Sequence, residues 1–105
     1  MAVTIREING TELDSLVEKR SGKILADFYS KTCGPCKMLG FVLKDIAKGI
    51  DDVEIVMLDF DLNKDALERY NVVSYPTMIF FNGGEEIERM KGLQQKPVIL
   101  RMLSA

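Results

Sequence analysis

The sequence predicts an α/β domain: a mixed central β-sheet flanked by helices on both faces, in the order βαβαβαββα. Three observations carry this. Short β-type runs alternate with helix-period segments, which is the signature of strands joined by crossover helices. The run Lys23-Ile24-Leu25-Ala26-Asp27-Phe28-Tyr29 is mostly apolar and of strand length, as suits a strand buried on both faces. Near the end, Asn82-Gly83-Gly84 separates two strand-like runs, and glycines that tolerate positive φ make this a strong hairpin signal. At 105 residues the chain fits one domain, 1–105.

Each element has its own local reason. Val3 to Arg6 alternates apolar and polar residues, as a short strand does. Asn9-Gly10-Thr11 then supplies turn and N-cap chemistry ahead of Leu13, Leu16 and Val17. Ser21-Gly22 breaks that helix before the central strand. After Cys33-Gly34-Pro35, the apolar positions Leu39, Val42, Leu43, Ile46, Ala47 and Ile50 recur at helical spacing. Pro35 fits the first turn of that helix, where no amide donor is needed. Asp51-Asp52 ends the helix, Val53 to Phe60 forms the next strand, and Asn63 is positioned to cap a short helix reaching Tyr70. Thr77 to Phe81 and Glu86 to Met90 form the antiparallel pair, and Pro97 to Leu103 a terminal amphipathic helix. Right-handed crossovers make the early strands parallel. An open α/β sheet presents its ligands at the carboxyl ends of its strands, and Cys33 lies just beyond one such end.

Composition narrows the chemistry. Hydrophobic residues make up 47% of the chain, enough for a core without a covalent staple. The 14 basic and 16 acidic residues are interspersed, so no polybasic surface is offered to nucleic acid. The N-terminal residues lack the basic flank and apolar run of a secretory signal, and no segment approaches the ~20 apolar residues of a membrane span. A cytoplasmic protein without a membrane partner is expected. There is no histidine, which excludes Ser–His and Cys–His catalysis and imidazole-ligated zinc.

Sulfur chemistry therefore rests on Cys33 and Cys36 alone. Their spacing also occurs in zinc sites, but structural zinc needs four ligands, and two cysteines would require carboxylates or a second chain to complete one. No metal site is expected. Two inert buried thiols are the plainer alternative, yet a Gly-Pro turn feeding a helix is poor packing material and good site geometry. At the helix N-terminus, free amides and the positive end of the dipole favour a Cys33 thiolate. Asp27 interrupts an apolar strand. From the residues alone it is either an outward-facing or hydrogen-bonded strand aspartate, or a buried acid–base group. Pro76 reads equally as an ordinary turn proline.

Taken together, Ala26-Asp27-Phe28-Tyr29, Cys33-Gly34-Pro35-Cys36-Lys37, Ser74-Tyr75-Pro76-Thr77, Phe81-Asn82-Gly83-Gly84 and Gly92 resemble the thioredoxin family in order and spacing over nearly the whole chain. The resemblance implies the thioredoxin fold and reversible dithiol–disulfide exchange. Cys33 would be the attacking cysteine, Cys36 the resolving one and Asp27 a buried carboxyl beneath the pair that exchanges a proton with Cys36. Pro76 would be a cis-proline facing the disulfide; with Gly34 and Pro35 it would tune the redox pair. The docking surface would comprise Thr32, Gly34, Pro35, Tyr75, Pro76, Gly92 and Leu93. No cofactor is implied beyond the Cys33–Cys36 disulfide itself. Thioredoxin reductase would be the electron donor, disulfide-containing client proteins the acceptors, and the chain a monomer.

Lowering a thiol pKa from ~8.5 to about 7, a shift for which thioredoxins are known, raises the thiolate fraction at pH 7 roughly 16-fold; lost nucleophilicity returns about 5–6-fold. The net gain is about threefold, so client docking and intramolecular attack by Cys36 must supply most of the rate. The sequence departs from the family where tryptophan is usual and Tyr29 and Thr32 stand, where a lysine is usual and Met57 stands, and at Gly40-Phe41, where a proline is usual. These departures bear on partner choice, redox potential and the titration of Asp27.

Overall fold

In a computed structural model, which describes residues 4–105, five strands and four helices follow the predicted order. The strands are β1 (Ile5–Glu7), β2 (Lys23–Tyr29), β3 (Val53–Asp59), β4 (Thr77–Asn82) and β5 (Glu85–Lys91); the helices are α1 (Gly10–Glu18), α2 (Gly34–Ala47), α3 (Lys64–Arg69) and α4 (Lys96–Leu103). The sheet order is β1-β3-β2-β4-β5. β3 runs parallel to both β1 and β2, whereas β4 is antiparallel to β2 and β5 to β4.

The central position of β2 explains its composition. Ile24 to Phe28 are all buried because both faces of the strand are covered. Leu25 points into one core with Leu39, Leu43 and Ile46 of α2 and Ile99 and Met102 of α4. Ile24, Ala26 and Phe28 point into the other, with Leu13 of α1 and Ala66 of α3. On that side the backbone of α1 comes so close that a Cβ on Gly10 would lie 2.7 Å from the Ala66 Cβ.

The first helix starts as a capping box. The Asn9 side chain accepts the Glu12 amide at 2.8 Å, and the Glu12 carboxylate accepts the Asn9 amide at 3.1 Å. The β4–β5 hairpin turns on Gly83 and Gly84, whose φ values of 64° and 88° match the left-handed pair that a tight hairpin of this twist requires.

Most element ends fall within a residue of the sequence reading; two boundaries move further, and one expected cap is not made. The first strand spans Ile5–Glu7 because its pairing with Ile55, Val56 and Met57 carries it past Arg6; Val3 lies outside the described residues. α2 stops at Ala47, ahead of Ile50, which packs beside the core from the following loop. Asn63 precedes α3 but makes no side-chain cap. Its carboxamide instead accepts the Gly10 amide at 3.0 Å and donates to the Asp59 carbonyl at 2.8 Å, tying the start of α1 to the end of β3.

Candidate functional site

The redox pair sits where β2 ends and α2 begins. Cys33 is the N-cap residue of α2, in extended conformation, and its Sγ accepts the Cys36 amide at 3.1 Å. The side chain thus occupies the position where a serine or aspartate oxygen usually satisfies a free helix amide. Gly34 and Pro35 form the first turn between the two cysteines, and the Cα atoms of Cys33 and Cys36 are 5.2 Å apart, joined by a disulfide. Both are largely buried, Cys33 at 8% exposure and Cys36 at 3%.

Register brings the predicted docking residues to the same end of the sheet. Thr77 starts β4 opposite Phe28 of β2 and Lys91 of β5, so the preceding Tyr75-Pro76 and the following Gly92 flank the strand end that leads to Cys33. The Tyr75-Pro76 peptide is cis, and the Pro76 carbonyl accepts the Gly92 amide at 2.8 Å. Gly92 has φ 82°, a conformation that glycine adopts without steric cost. The Thr77 hydroxyl donates to the Ser74 carbonyl at 2.8 Å and closes the turn. Tyr75 remains exposed, its ring edge-on to Phe60 with centroids 4.9 Å apart. Thr32, Gly34, Pro35 and Leu93 are exposed, while Pro76 is buried.

Asp27 is completely buried, and neither carboxylate oxygen has a hydrogen-bond partner. It faces the core that α2 covers, since its cross-strand partners are Met57 of β3 and Met78 of β4. Loss of solvation, and secondarily the charge of Glu7, push its pKa up to about 7. Beside it, a groove of about 360 Å³ runs between α2 and the sheet, lined by Ile5, Tyr29, Cys36, Gly40, Phe41 and Met57, among others.

The sequence reading missed Glu7 and its hydrogen bond from Tyr29, whose hydroxyl donates to the Glu7 carboxylate at 2.7 Å. Its only local signal was a carboxylate one residue beyond the assigned strand. Among the described residues, no group of three or more Cys, Asp or Glu side chains converges as a metal site would require. No helix among them is long and apolar enough to cross a membrane.

The arrangement of a helix-capping cysteine, a second cysteine one turn on, a cis-proline loop and an unpartnered acid has a counterpart among known proteins. Residues 4–105 match the Thioredoxin family. The chain belongs to the thioredoxin family. A thioredoxin from Chlamydia trachomatis is 42% identical over 84 residues, covering 80% of this chain and 82% of that protein. A Mycobacterium leprae protein named bifunctional thioredoxin reductase/thioredoxin is 42% identical over 82 residues, covering 77% of this chain and 18% of its own length. Among solved structures, a mutant thioredoxin from Halobacterium salinarum superposes with a TM-score of 0.87 at 32% identity, covering 99% of this chain and 93% of that one. The fold is therefore the thioredoxin fold, and the protein is a thiol–disulfide oxidoreductase that works by dithiol–disulfide exchange through Cys33 and Cys36. Members of this family carry out that exchange without a bound cofactor.

Proposed function

We propose that the protein is a protein-disulfide reductase in which Cys33 attacks, Cys36 resolves and Asp27 handles the proton of the resolving step. The observation that carries this reading is the position of Cys33 Sγ as the cap of α2, 3.1 Å from the Cys36 amide, on the more accessible of the two cysteines. In the dithiol form, that amide and the helix dipole favour the Cys33 thiolate. The thiolate attacks one sulfur of a client disulfide, forming a mixed disulfide and expelling the client's other thiolate. Cys36 then gives its proton to Asp27 and attacks the Cys33 sulfur, which closes the Cys33–Cys36 disulfide and frees the second client thiolate. Two electrons have passed to the client. A pKa of about 7 suits Asp27 to this work, because near neutral pH it is available as both acceptor and donor.

Gly34, Pro35 and Pro76 tune the pair by setting the first turn of α2 and the facing loop. Clients dock over Thr32, Tyr75, Gly92 and Leu93, where the exposed Tyr75 ring lies beside the cis-proline. Thioredoxin reductase returns the dithiol, a reading supported by the relative in which the two activities are named together. The protein acts as one domain over 1–105 and as a monomer, since all these residues come from one chain. It carries electrons in the cytoplasm to reductases or peroxidases that form disulfides during turnover.

Iodoacetamide labelling of the reduced protein, followed by peptide mapping, tests the assignment. Cys33 should be modified much faster than Cys36 near neutral pH, and Cys36→Ser should accumulate mixed disulfides with client proteins through Cys33. Equal labelling, or lysate gels that look alike with and without reductant, would refute it.

A further inference from the structure

Asp27 needs a way to feel and exchange charge, because burial has stripped it of every hydrogen-bond partner. The sheet shows where that influence comes from. Glu7 of β1 pairs with Met57 of β3, and Met57 pairs with Asp27 of β2, so the three side chains form one cross-strand row on the same face. At about 4.8 Å per strand, Glu7 and Asp27 have Cα atoms about 10 Å apart. The residue between them is a neutral thioether. Tyr29, two positions along β2 and therefore on the same face, donates its hydroxyl to the Glu7 carboxylate at 2.7 Å. That bond fixes the position of the exposed carboxylate at the edge of the row.

We propose that Glu7, held by Tyr29, is a positioning residue that sets the pH range in which Asp27 exchanges its proton during the resolving step. The proposal rests on the acid–base reading of Asp27 given above. Other groups toward Asp27 do not duplicate this role. Asp59 of β3 is paired with Lys31 at 3.6 Å, and α2 brings Cys36, with Lys37 and Lys44 along the groove. β4 and β5 continue the row with the neutral Met78 and Met90. α4 sends Ile99, Met102 and Leu103 into the same core, while its Lys96 and Arg101 are exposed. Glu7 is the acidic group whose charge raises Asp27 further after burial has acted.

A residue-specific carboxyl titration of Asp27 by NMR in the reduced protein, paired with the pH profile of mixed-disulfide resolution, tests this. Coulomb's law across about 10 Å, with an effective dielectric between ~80 and ~20, predicts that Glu7→Gln lowers the Asp27 midpoint by about 0.3 to 1.2 pH units. Tyr29→Phe should lower it by less, Glu7→Asp should restore part of the shift, and salt near 1 M should shrink the difference because Glu7 is exposed. The acid limb of the resolution profile should move with the midpoint. An unchanged midpoint in Glu7→Gln overturns the proposal, even if Asp27→Asn abolishes the acid limb. If instead Glu7→Gln moves the midpoint but Asp27→Asn leaves the profile intact, the acid–base reading of Asp27 fails, and the role assigned to Glu7 fails with it.

Discussion

Successive residues of β2 serve two different interiors. Ile24, Ala26 and Phe28 enter a core closed by α1 and α3, where the Tyr70 ring stands 6.4 Å from Phe28 and 5.8 Å from Phe81 and, among the described residues, no buried side-chain polar atom lacks a hydrogen-bond partner. Leu25 and Asp27 enter the core under α2 and α4, which is equally buried but contains a carboxyl group with no partner. Burying a polar group without a hydrogen bond costs free energy, and the Asp27 oxygens have none. The difference shows how one strand divides its labour: the α1/α3 face supplies stability, and the α2/α4 face gives some up so that an acid can wait beneath the helix that carries the cysteines.

The comparison is sharpest at Phe28. Phe28→Ala removes a fully buried ring from the purely structural face and should cost about 3–5 kcal/mol in urea unfolding. Insulin-disulfide reduction per folded molecule should stay near the parent value below the unfolding transition. Loss of activity in excess of the unfolded fraction would break the division between faces.

One position earlier in the strand, the sign should reverse. Asp27 has a folded pKa of about 7 against an ordinary value of 3.8, so the folded state keeps a proton that the unfolded chain has already lost. Its contribution to stability therefore falls as pH rises from about 4 to about 7, and is level above that. Asp27→Asn cannot ionise, so its stability relative to the parent should rise across that window by at most about 4 kcal/mol, the full span of the shift. Resolution of the mixed disulfide should slow at the same time. Urea titrations of the oxidised proteins between pH 4 and 9 measure the first effect, and single-turnover reduction the second. A variant that is less stable throughout and fully active would make Asp27 an ordinary structural aspartate.

What was legible in the sequence follows the range of the interactions. The run from Lys23 to Tyr29 disclosed a central strand because burial on both faces leaves a contiguous apolar signature. Pro35 after Cys33, and the paired glycines of the hairpin, disclosed a helix start and a turn because both are local backbone chemistry. Asn63 was misread for the opposite reason. A cap-type residue ahead of a helix normally bonds within its own turn, but this one reaches the Gly10 amide 53 residues away. The roles of Cys33 and Asp27 came from the family resemblance, since spacing alone left Asp27 open. The role of Glu7 was not legible: its place beside Asp27 depends on β3 lying between β1 and β2 and on the register that aligns Glu7, Met57 and Asp27. Strand order and register are settled by tertiary packing.

The smallest effect belongs to a polar cluster that the α1/α3 face does carry, at its rim. Asp14 of α1 accepts the Tyr70 hydroxyl at 2.6 Å and pairs with Arg69 at 2.8 Å, bridging α1 to the end of α3. Unlike Asp27, this carboxylate has partners and water: its side chain is 32% exposed and that of Arg69 44%. Exposed pairs of this kind contribute little, because solvent screens the charge and holding two long side chains costs entropy. Asp14→Asn should therefore lower stability at neutral pH by less than about 1 kcal/mol. Burial and the bond to Asp14 both push the Tyr70 hydroxyl above its ordinary pKa, so the folded state keeps that proton at pH values where the unfolded chain loses it. The parent should lose stability as pH climbs past about 10, and Asp14→Asn should lose less of it there. The gap between the two proteins would then narrow in alkaline urea titrations. A gap that widens, or a neutral-pH loss as large as that of Phe28→Ala, would mean that the stability of this face depends on its polar rim as much as on its apolar interior.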